Sequence, residues 1–396
     1  MRIAILNRFS KDFYDYNQLI STKKDNIIFY NSNKKFFEST DNITVKNYEG
    51  FDKAFFLDII RDHKKQPFDR LIALSEYDIE RVSDIRKYLN IPSFEPISSY
   101  IFRDKYLMKN FFSTYIRTPK YKDIKNFVDI ISFIDENGYP VVIKPRLGSG
   151  SESIVILSTD EELKKYLSQS PDLNQLMIEE YIDGEMYHID GVVNCGELFY
   201  ISSKYINGCL AFSENNFLGS FGIENLSLKK KIDNFMKKMF SPFIALKSSF
   251  IFHLEIFKKD EEFLLCEIAS RLGGGYIHDI LMKRSNQNML DAHLEIEING
   301  YLKNIPNFTD NNYGFIMLPY RKGILASNKN FYDSRIIKID WDSNLIGHCF
   351  DTPDSSIDHY IGYVFECTGL SEKHIYSFMV DIADWHEKHT IWKNIE

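Results

Sequence analysis

Two glutamates, Glu255 and Glu267, stand within apolar segments, where an unpaired carboxylate is costly to bury. The polar turn 258–261 separates the two segments, so the spacing predicts a hairpin that places both side chains on neighbouring strands. Two carboxylates that face one site, together with phosphate oxygens and water, are a usual way to hold Mg²⁺. The pair therefore indicates a magnesium site, and the alternative is a strand edge with two solvated glutamates.

A loop of small residues follows Lys144, which lies near the end of an apolar stretch. The loop includes Gly148, Ser149, Gly150 and Ser151. Glycine and serine expose backbone N–H groups that can wrap phosphate oxygens, and a nearby ammonium adds positive charge. Because a second strand-like segment follows, this is a hairpin and not the strand–loop–helix of a P-loop. The pattern indicates a phosphate-binding loop, with a plain surface hairpin as the alternative.

A short segment directly after Glu267 combines Arg271 with Gly273 and Gly274. Arginine supplies a fixed positive charge for phosphoryl or carboxylate oxygens. Glycine allows backbone N–H groups to approach a substrate closely. The alternative is a plain loop that leads into a helix near Asp279.

His188 and Asp190 alternate along an apolar stretch, so their side chains are expected on one face of a strand. That face is either part of the active site or holds a satisfied structural histidine. Both alternatives stay open at this point.

Apolar periodicity places these residues on strands and loops. Short apolar runs that alternate with helical stretches predict an α/β protein. The predicted strands are 2–6, 71–74, 141–145, 154–157, 176–181, 188–193, 198–201, 250–257 and 263–268, and the predicted helices are 52–63, 100–112, 125–137 and 372–389. No GxGxxG follows the first strand, so a dinucleotide fingerprint is not expected there.

Composition excludes several function classes. The 396 residues include 48 Lys+Arg and 56 Asp+Glu, a net charge of −8 that argues against a nucleic-acid binder. The five cysteines form no CxxC pair, which argues against a disulfide framework or a zinc site. The apolar run at the N-terminus is too short for a signal peptide, and no run is long enough for a membrane span. A cytoplasmic protein is therefore expected.

Taken together, these motifs resemble the ATP-grasp superfamily in their order and spacing, from about residue 70 to 300. The matching segments are 74–76, 102–109, Lys144 with 148–151, 179–185, 253–255 and 267–274. Within the superfamily, the chain is most similar to the ligases that join two L-amino acids. The resemblance implies an α/β (α+β) ATP-grasp fold. It comprises a Rossmann-like pre-ATP-grasp domain (1–98), an ATP-grasp core (99–310) with a mobile lid (119–182), and a C-terminal lobe on the core (311–396).

The resemblance also implies roles for single residues toward ATP and metal. Lys105 and Lys144 match lysines that contact the phosphates, and Ser149, Gly150 and Ser151 lie in the loop that closes over them. The strand whose backbone reads adenine is matched by Glu179, Glu180, Tyr181 and Ile182. The carboxylate near the ribose is matched by Glu185. Glu255 and Glu267 match the ligands of Mg²⁺, for which Mn²⁺ is the alternative ion.

Other matches concern the substrates. Arg271 matches the arginine that steadies an acyl phosphate, and Gly273 and Gly274 match the backbone donors beside it. Glu76 and His278 fall where these ligases contact amino-acid substrates, and His188 is a further substrate candidate. The acidic residues near the site would suit a basic amino acid: Glu76, Asp78 and Asp279.

One position departs from the family pattern. Members often have asparagine, a further magnesium ligand, two residues after the second glutamate, and this chain has Ala269 there. Alanine cannot bind a metal ion, so the number of metal ions is in doubt. Ser270 or water is the candidate replacement.

The resemblance implies an ATP-dependent carboxylate–amine ligase that forms a dipeptide through an acyl phosphate and releases ADP and phosphate. Its partners would be small-molecule amino acids, with no nucleic acid and no membrane, and a homodimer is left open. One alternative is a ligase for a different amine, on a carrier protein, an amino sugar or a ribosyl amine. Another is a degenerate ATP-binding sensor, which Ala269 alone favours.

Overall fold

The computed structural model describes residues 1–396 except 23–25, 37, 41, 53, 95–96, 209, 213, 286, 310, 354, 356–357 and 395–396. Its strands are β1 (Arg2–Asn7), β2 (Asn26–Asn31), β3 (Ile43–Asn47), β4 (Arg70–Ala73), β5 (Tyr121–Asp123), β6 (Val141–Pro145), β7 (Val155–Leu157), β8 (Leu176–Glu180), β9 (Glu185–Asn194), β10 (Glu197–Ile206), β11 (Leu218–Gly222), β12 (Phe250–Lys259), β13 (Glu262–Ala269), β14 (Tyr313–Pro319), β15 (Gly323–Ser327), β16 (Ile336–Trp341), β17 (Cys349–Phe350), β18 (His359–Glu366) and β19 (Ile391–Lys393).

The helices alternate with these strands, as the periodicity predicted. They are α1 (Asn17–Thr22), α2 (Phe55–Lys65), α3 (Glu76–Leu89), α4 (Lys105–Phe112), α5 (Phe127–Asn137), α6 (Asp160–Ser168), α7 (Leu226–Met239), α8 (Ser241–Ala245), α9 (Ile277–Ser285), α10 (Met289–Asn299) and α11 (Glu372–His389). Short 3₁₀ helices lie at Ser99–Phe102 and Ser343–Leu345. None of the described helices is both long and apolar enough to span a membrane.

The first sheet is parallel, with strand order β3-β2-β1-β4. Strand β1 is apolar on both faces, which is typical of a parallel sheet covered on both sides. Ile3 and Ile5 pack toward residues of the following units, whereas Ala4 and Leu6 pack toward α2 and α3. This sheet therefore shares a core with the rest of the chain.

A second, smaller sheet is antiparallel and has the order β5-β8-β6-β7. Helix α5 packs against it through Ile130 and Phe133, which join Val141, Ile143 and Ile178 in one buried cluster. The sheet positions two features of the site: Lys144 near the end of β6, and Glu179 near the end of β8.

The largest sheet has the order β13-β12-β9-β10-β11-β14-β18-β16, with antiparallel pairing throughout. Alternation along β12 gives its two faces different chemistry. Phe252, Leu254 and Ile256 pack with α7 and α8 in an apolar cluster. His253 and Glu255 point to the opposite face, which carries the polar side chains of the candidate site. A third small sheet, β17-β15-β19, lies in the C-terminal part.

The helix predicted for 100–112 is interrupted. A 3₁₀ turn ends at Phe102, and α4 begins only at Lys105 because the Asp104 side chain accepts hydrogen bonds from the backbone N–H groups of Tyr106 and Leu107. An aspartate in this position starts a helix by satisfying its first free donors. The break places Lys105 in the first turn of α4, beside the loop after β6.

The mixed α/β fold class is confirmed, and the domain division into 1–98, 99–310 and 311–396 stays a prediction. Strand pairing crosses one of its boundaries. Leu218–Phe221 of β11 pair with Gly314–Met317 of β14, so the large sheet continues from the predicted core into the predicted C-terminal lobe. Residue 310 itself lies outside the described residues.

Candidate active site

Glu255 and Glu267 lie directly opposite each other on β12 and β13. Partners in an antiparallel pair point to the same face, so the hairpin brings both carboxylates together as the sequence predicted. Glu255 accepts a hydrogen bond of 3.2 Å from the Tyr205 hydroxyl, and Glu267 lies 3.0 Å from the Lys105 ammonium. Burial would raise the pKa of Glu267, but the charge of Lys105 and other nearby cations lowers it below its ordinary value.

Three lysines lie near the carboxylate pair or around the neighbouring Glu179. Lys144, near the end of β6, forms a buried ion pair with Glu179, which also lies 3.0 Å from the ammonium of Lys109. Burial would raise the pKa of Glu179, but the two lysines lower it below its ordinary value. Lys105 donates to the carbonyl oxygen of Gly148 at 2.7 Å. The face that carries two carboxylates is thus rich in positive charge.

Lys109 is a site residue that the sequence analysis missed. Its side chain is fully buried, and its ammonium donates to the carbonyl oxygens of Leu265 and Cys266 at 3.3 Å each. Its spacing was the available signal, since residues four apart on a helix share one face and Lys109 stands four after Lys105. A lysine on an apolar helix face is more often solvated at its tip, which is why spacing alone did not single it out.

The loop 146–153 is held by neighbours from three parts of the chain. Gly148 accepts from Arg103 and Lys105, and the Ser149 hydroxyl lies 3.3 Å from the hydroxyl of Tyr77. On the other side, Ser355 donates to the carbonyl oxygen of Gly150 at 3.0 Å. Gly150 and Ser151 both have positive φ, of 65° and 64°. The loop is therefore folded back over the site.

Arg271 joins the first sheet's unit to the site. Its guanidinium forms an ion pair with Glu76, the first residue of α3, whose other oxygen accepts from Arg103 at 3.0 Å. Burial would lower the pKa of Arg271, but Glu76 raises it. Two arginines face one carboxylate here, so the group carries a net positive charge that suits an anionic substrate atom.

The residues predicted to read adenine and ribose lie at the end of β8 and the start of β9. The backbone N–H groups of Glu180 and Tyr181 donate to the carbonyl oxygens of Lys120 and Pro140, at 2.9 and 3.3 Å. Ile182 is buried. Glu185 accepts from Tyr187 at 2.8 Å and forms an ion pair with Lys204.

His188 and Asp190 belong to a buried hydrogen-bonded network with His253. The Nδ1 atoms of His188 and His253 lie 2.5 and 2.7 Å from the two oxygens of Asp190, and the His188 Nε2 lies 2.6 Å from the Ser220 hydroxyl. Of the two interpretations of His188, the geometry favours the satisfied structural one.

The three side chains are also the kinds that bind metal ions, and their ligand atoms cluster within 4.8 Å of one another. Two ligands on one tetrahedral zinc ion lie about 3.4 Å apart, given bond lengths of about 2.1 Å. The contacts of Asp190 with His188 and His253 are shorter, at 2.5 and 2.7 Å, as direct hydrogen bonds are. The cluster is therefore a hydrogen-bonded network and not a metal site.

Other candidates have neighbours of their own. His278, in the first turn of α9, packs its ring 6.1 Å from that of Phe13, and its Nδ1 has no hydrogen-bond partner among the described residues. Ser270, one candidate replacement for the asparagine, lines a cavity of about 30 Å³ together with His293. Ala269 pairs with His253 across the strands, so the position beside the carboxylates carries only a methyl group.

Gly273 and Gly274 differ sharply in their surroundings. A Cβ atom on Gly273 would lie 2.8 Å from Nδ1 of His253 and 3.0 Å from Oδ1 of Asp190, whereas a Cβ on Gly274 meets nothing within 4 Å. Gly273→Ala is therefore expected to lower the thermal unfolding midpoint by several degrees, through overpacking of about 1–3 kcal/mol. It should also slow ADP formation at least tenfold. Equal thermal midpoints for Gly273→Ala and its packing control Gly274→Ala would contradict this packing.

Comparison with known proteins gives consistent matches. Residues 102–275 match the model of the ATP-grasp domain family. An L-arginine-specific L-amino acid ligase of Bacillus subtilis is 28% identical over 299 residues, which cover 69% of this chain and 67% of that protein. The D-alanine–D-alanine ligase A of Clostridium perfringens is 31% identical over 143 residues, 32% of this chain, and the match spans about half of that ligase, 47%.

Among solved structures, that of an L-amino acid ligase from Bacillus licheniformis superposes with a TM-score of 0.71. The identity is 16%, and the match covers 99% of both chains. At this identity the likeness shows the fold alone.

Proposed function

We propose that the chain is an ADP-forming ATP-grasp ligase that joins two L-amino acids into a dipeptide, because residues 102–275 match the ATP-grasp domain family and a long segment is similar to an L-amino acid ligase. The observation that carries the proposal is the pairing of Glu255 with Glu267 close to three cations, Lys105, Lys144 and Arg271, whose charges lower the pKa of Glu267. The long match to an L-amino acid ligase supports the same substrate class.

ATP and a divalent cation fit the residues present. Carboxylates that point to one face are hard oxygen donors of the kind that Mg²⁺ or Mn²⁺ takes, and Glu255 and Glu267 would hold the ion. Lys105 and Lys144 would hold the phosphates, with the backbone N–H groups of the loop 146–153 closing over them. When bound, the cation offsets charge on the phosphoryl group during transfer.

The reaction follows from positions and charges. A carboxylate oxygen of the first amino acid attacks the γ-phosphorus of ATP, the bond to ADP breaks, and an acyl phosphate forms. The amine of the second amino acid then attacks the carbonyl carbon, phosphate leaves, and the nitrogen loses a proton. Arg271 neutralises negative charge on the acyl phosphate and the tetrahedral intermediate, while the closed loop keeps water out.

The acidic residues near the site do not identify the side chains of the substrates. Glu76 pairs with Arg103 and Arg271, Asp78 with Arg8 at 2.5 Å, and Asp279 with Lys338 at 2.8 Å. Each carboxylate already faces a cation, so these three residues give no support for a basic substrate.

We also place the enzyme in the cytoplasm, where ATP is available and the free cysteines stay reduced.

A product survey tests the proposal. The purified protein is incubated with ATP, Mg²⁺ and all pairs of the 20 proteinogenic amino acids, and dipeptides are measured by mass spectrometry together with ADP and phosphate. At least one pair is expected to give a dipeptide with ADP in equal amount. Absence of phosphate release with every pair would overturn it, and release with a carrier-bound or sugar amine instead would identify the different acceptor.

A further inference from the structure

A series of buried polar contacts leads to the candidate site. It starts at the Ser220 hydroxyl, passes through His188 and Asp190, and reaches His253 through contacts of 2.6, 2.5 and 2.7 Å. It ends where Nε2 of His253 lies 3.4 Å from an oxygen of Glu255. Both ring nitrogens of His253 are thus engaged, one by Asp190 and one by Glu255.

Strand register explains why this series of contacts ends at Glu255. His188, Glu255 and Glu267 form one row across β9, β12 and β13, and Asp190, His253 and Ala269 form the neighbouring row. Side chains in such rows point to the same face. His253 therefore stands beside the carboxylate pair, and on its β13 side Ala269 adds only a methyl group to the row.

The charges of Asp190 and His253 in this series are complementary. Burial would raise the pKa of Asp190 and lower that of His253, but their mutual attraction prevails in both groups. Asp190 contacts one ring nitrogen of His253 and Glu255 contacts the other, an arrangement that is common behind metal ligands.

From this geometry we propose that Asp190 and His253 are positioning residues that fix the Glu255 carboxylate for a divalent cation. The proposal rests on the proposed role of Glu255 as a metal ligand. Asp190 holds the imidazole ring at Nδ1, and the ring in turn holds one oxygen of Glu255 through Nε2.

Amide substitutions test the contacts of the two ring nitrogens of His253 separately. The nitrogen of His253→Asn stands near the position of Nδ1 and keeps the contact with Asp190, whereas the nitrogen of His253→Gln reaches the position of Nε2 and keeps the contact with Glu255. Binding of Mn²⁺ in the presence of ADP is measured by electron paramagnetic resonance, with thermal unfolding recorded for each variant. We expect His253→Asn to weaken Mn²⁺ binding about tenfold to a hundredfold and His253→Gln to weaken it clearly less.

Three further variants complete the test. Asp190→Asn should weaken Mn²⁺ binding like His253→Asn. His386→Gln is the matched control, because His386 is also buried and hydrogen-bonded, at 2.6 Å, but to Tyr363 of the apolar cluster in the C-terminal part. Its Mn²⁺ affinity should equal that of the wild type. Glu255→Gln should weaken binding at least as much as any other variant.

The outcomes distinguish the two proposals. If Glu255→Gln leaves Mn²⁺ binding unchanged, the metal role of Glu255 fails and the positioning role fails with it. If Glu255→Gln weakens binding but folded His253→Asn binds Mn²⁺ within twofold of the wild type, the positioning role alone is overturned. The same conclusion follows if His386→Gln weakens binding as much as His253→Asn.

Discussion

Replacing Glu267 with glutamine is expected to slow ADP formation about a hundredfold or more with a productive substrate pair. Glu267 is ionised, faces Lys105 at 3.0 Å and lies opposite Glu255, so the change removes a negative charge from the proposed metal site. Loss of charge compensation for a phosphoryl transfer costs several kcal/mol. ADP release in a coupled assay gives the rate.

Glu262→Gln is the matched control for this variant, because Glu262 starts the same strand, is largely exposed and pairs with exposed Arg117. Its rate should equal that of the wild type. Arg271→Ala should lose activity as fully as Glu267→Gln. Near-normal turnover in either site variant would refute the assignment of these residues to the site.

Glu179→Gln is expected to destabilise the protein by about 3–5 kcal/mol, since it leaves the buried ammonium groups of Lys109 and Lys144 without their shared counter-charge. The change keeps the shape of the side chain, so the loss reports charge. Urea denaturation followed by circular dichroism measures the free energy of unfolding.

The neighbouring Glu180→Gln serves as the control for Glu179→Gln. Glu180 is half-buried and accepts from the backbone N–H of Lys120 at 3.2 Å, a bond that an amide oxygen also accepts. Its unfolding free energy should change by less than about 1 kcal/mol. Similar losses in the two variants would show that Glu179 does not carry the charge balance of the lysines.

Local features of the site followed from the sequence. The sequence predicted that Glu255 and Glu267 lie on neighbouring strands of a short hairpin, and the structure has both strands. Their direct pairing also depends on a register shift between Glu255 and Ile256, which the sequence did not predict. The strand before Lys144 and the helix Glu372–His389 followed from periodicity in the same way. The ATP-grasp fold, which rested on resemblance, is confirmed, and the long match to an L-amino acid ligase supports the ligase class.

Contacts between distant segments did not follow from the sequence. Glu76 and Arg271 are 195 positions apart, and only the packing of the first sheet's unit on the core brings them together. The burial of Lys109 likewise depends on β13 crossing α4. The network of His188, Asp190 and His253 needs the register of β9 with β12, which no local pattern specifies. The roles assigned to single residues stay predictions until the variants are measured.

The shared large sheet bears on how the chain can be divided for expression. Pairing of β11 with β14 joins residues on either side of position 310. A fragment that stops there would turn β11 into an open edge, with a row of free backbone donors and acceptors that invites pairing with other molecules. The C-terminal piece would expose the matching edge of β14. A shortened form of the protein therefore has to retain both β11 and β14. Residues are better removed from exposed loops.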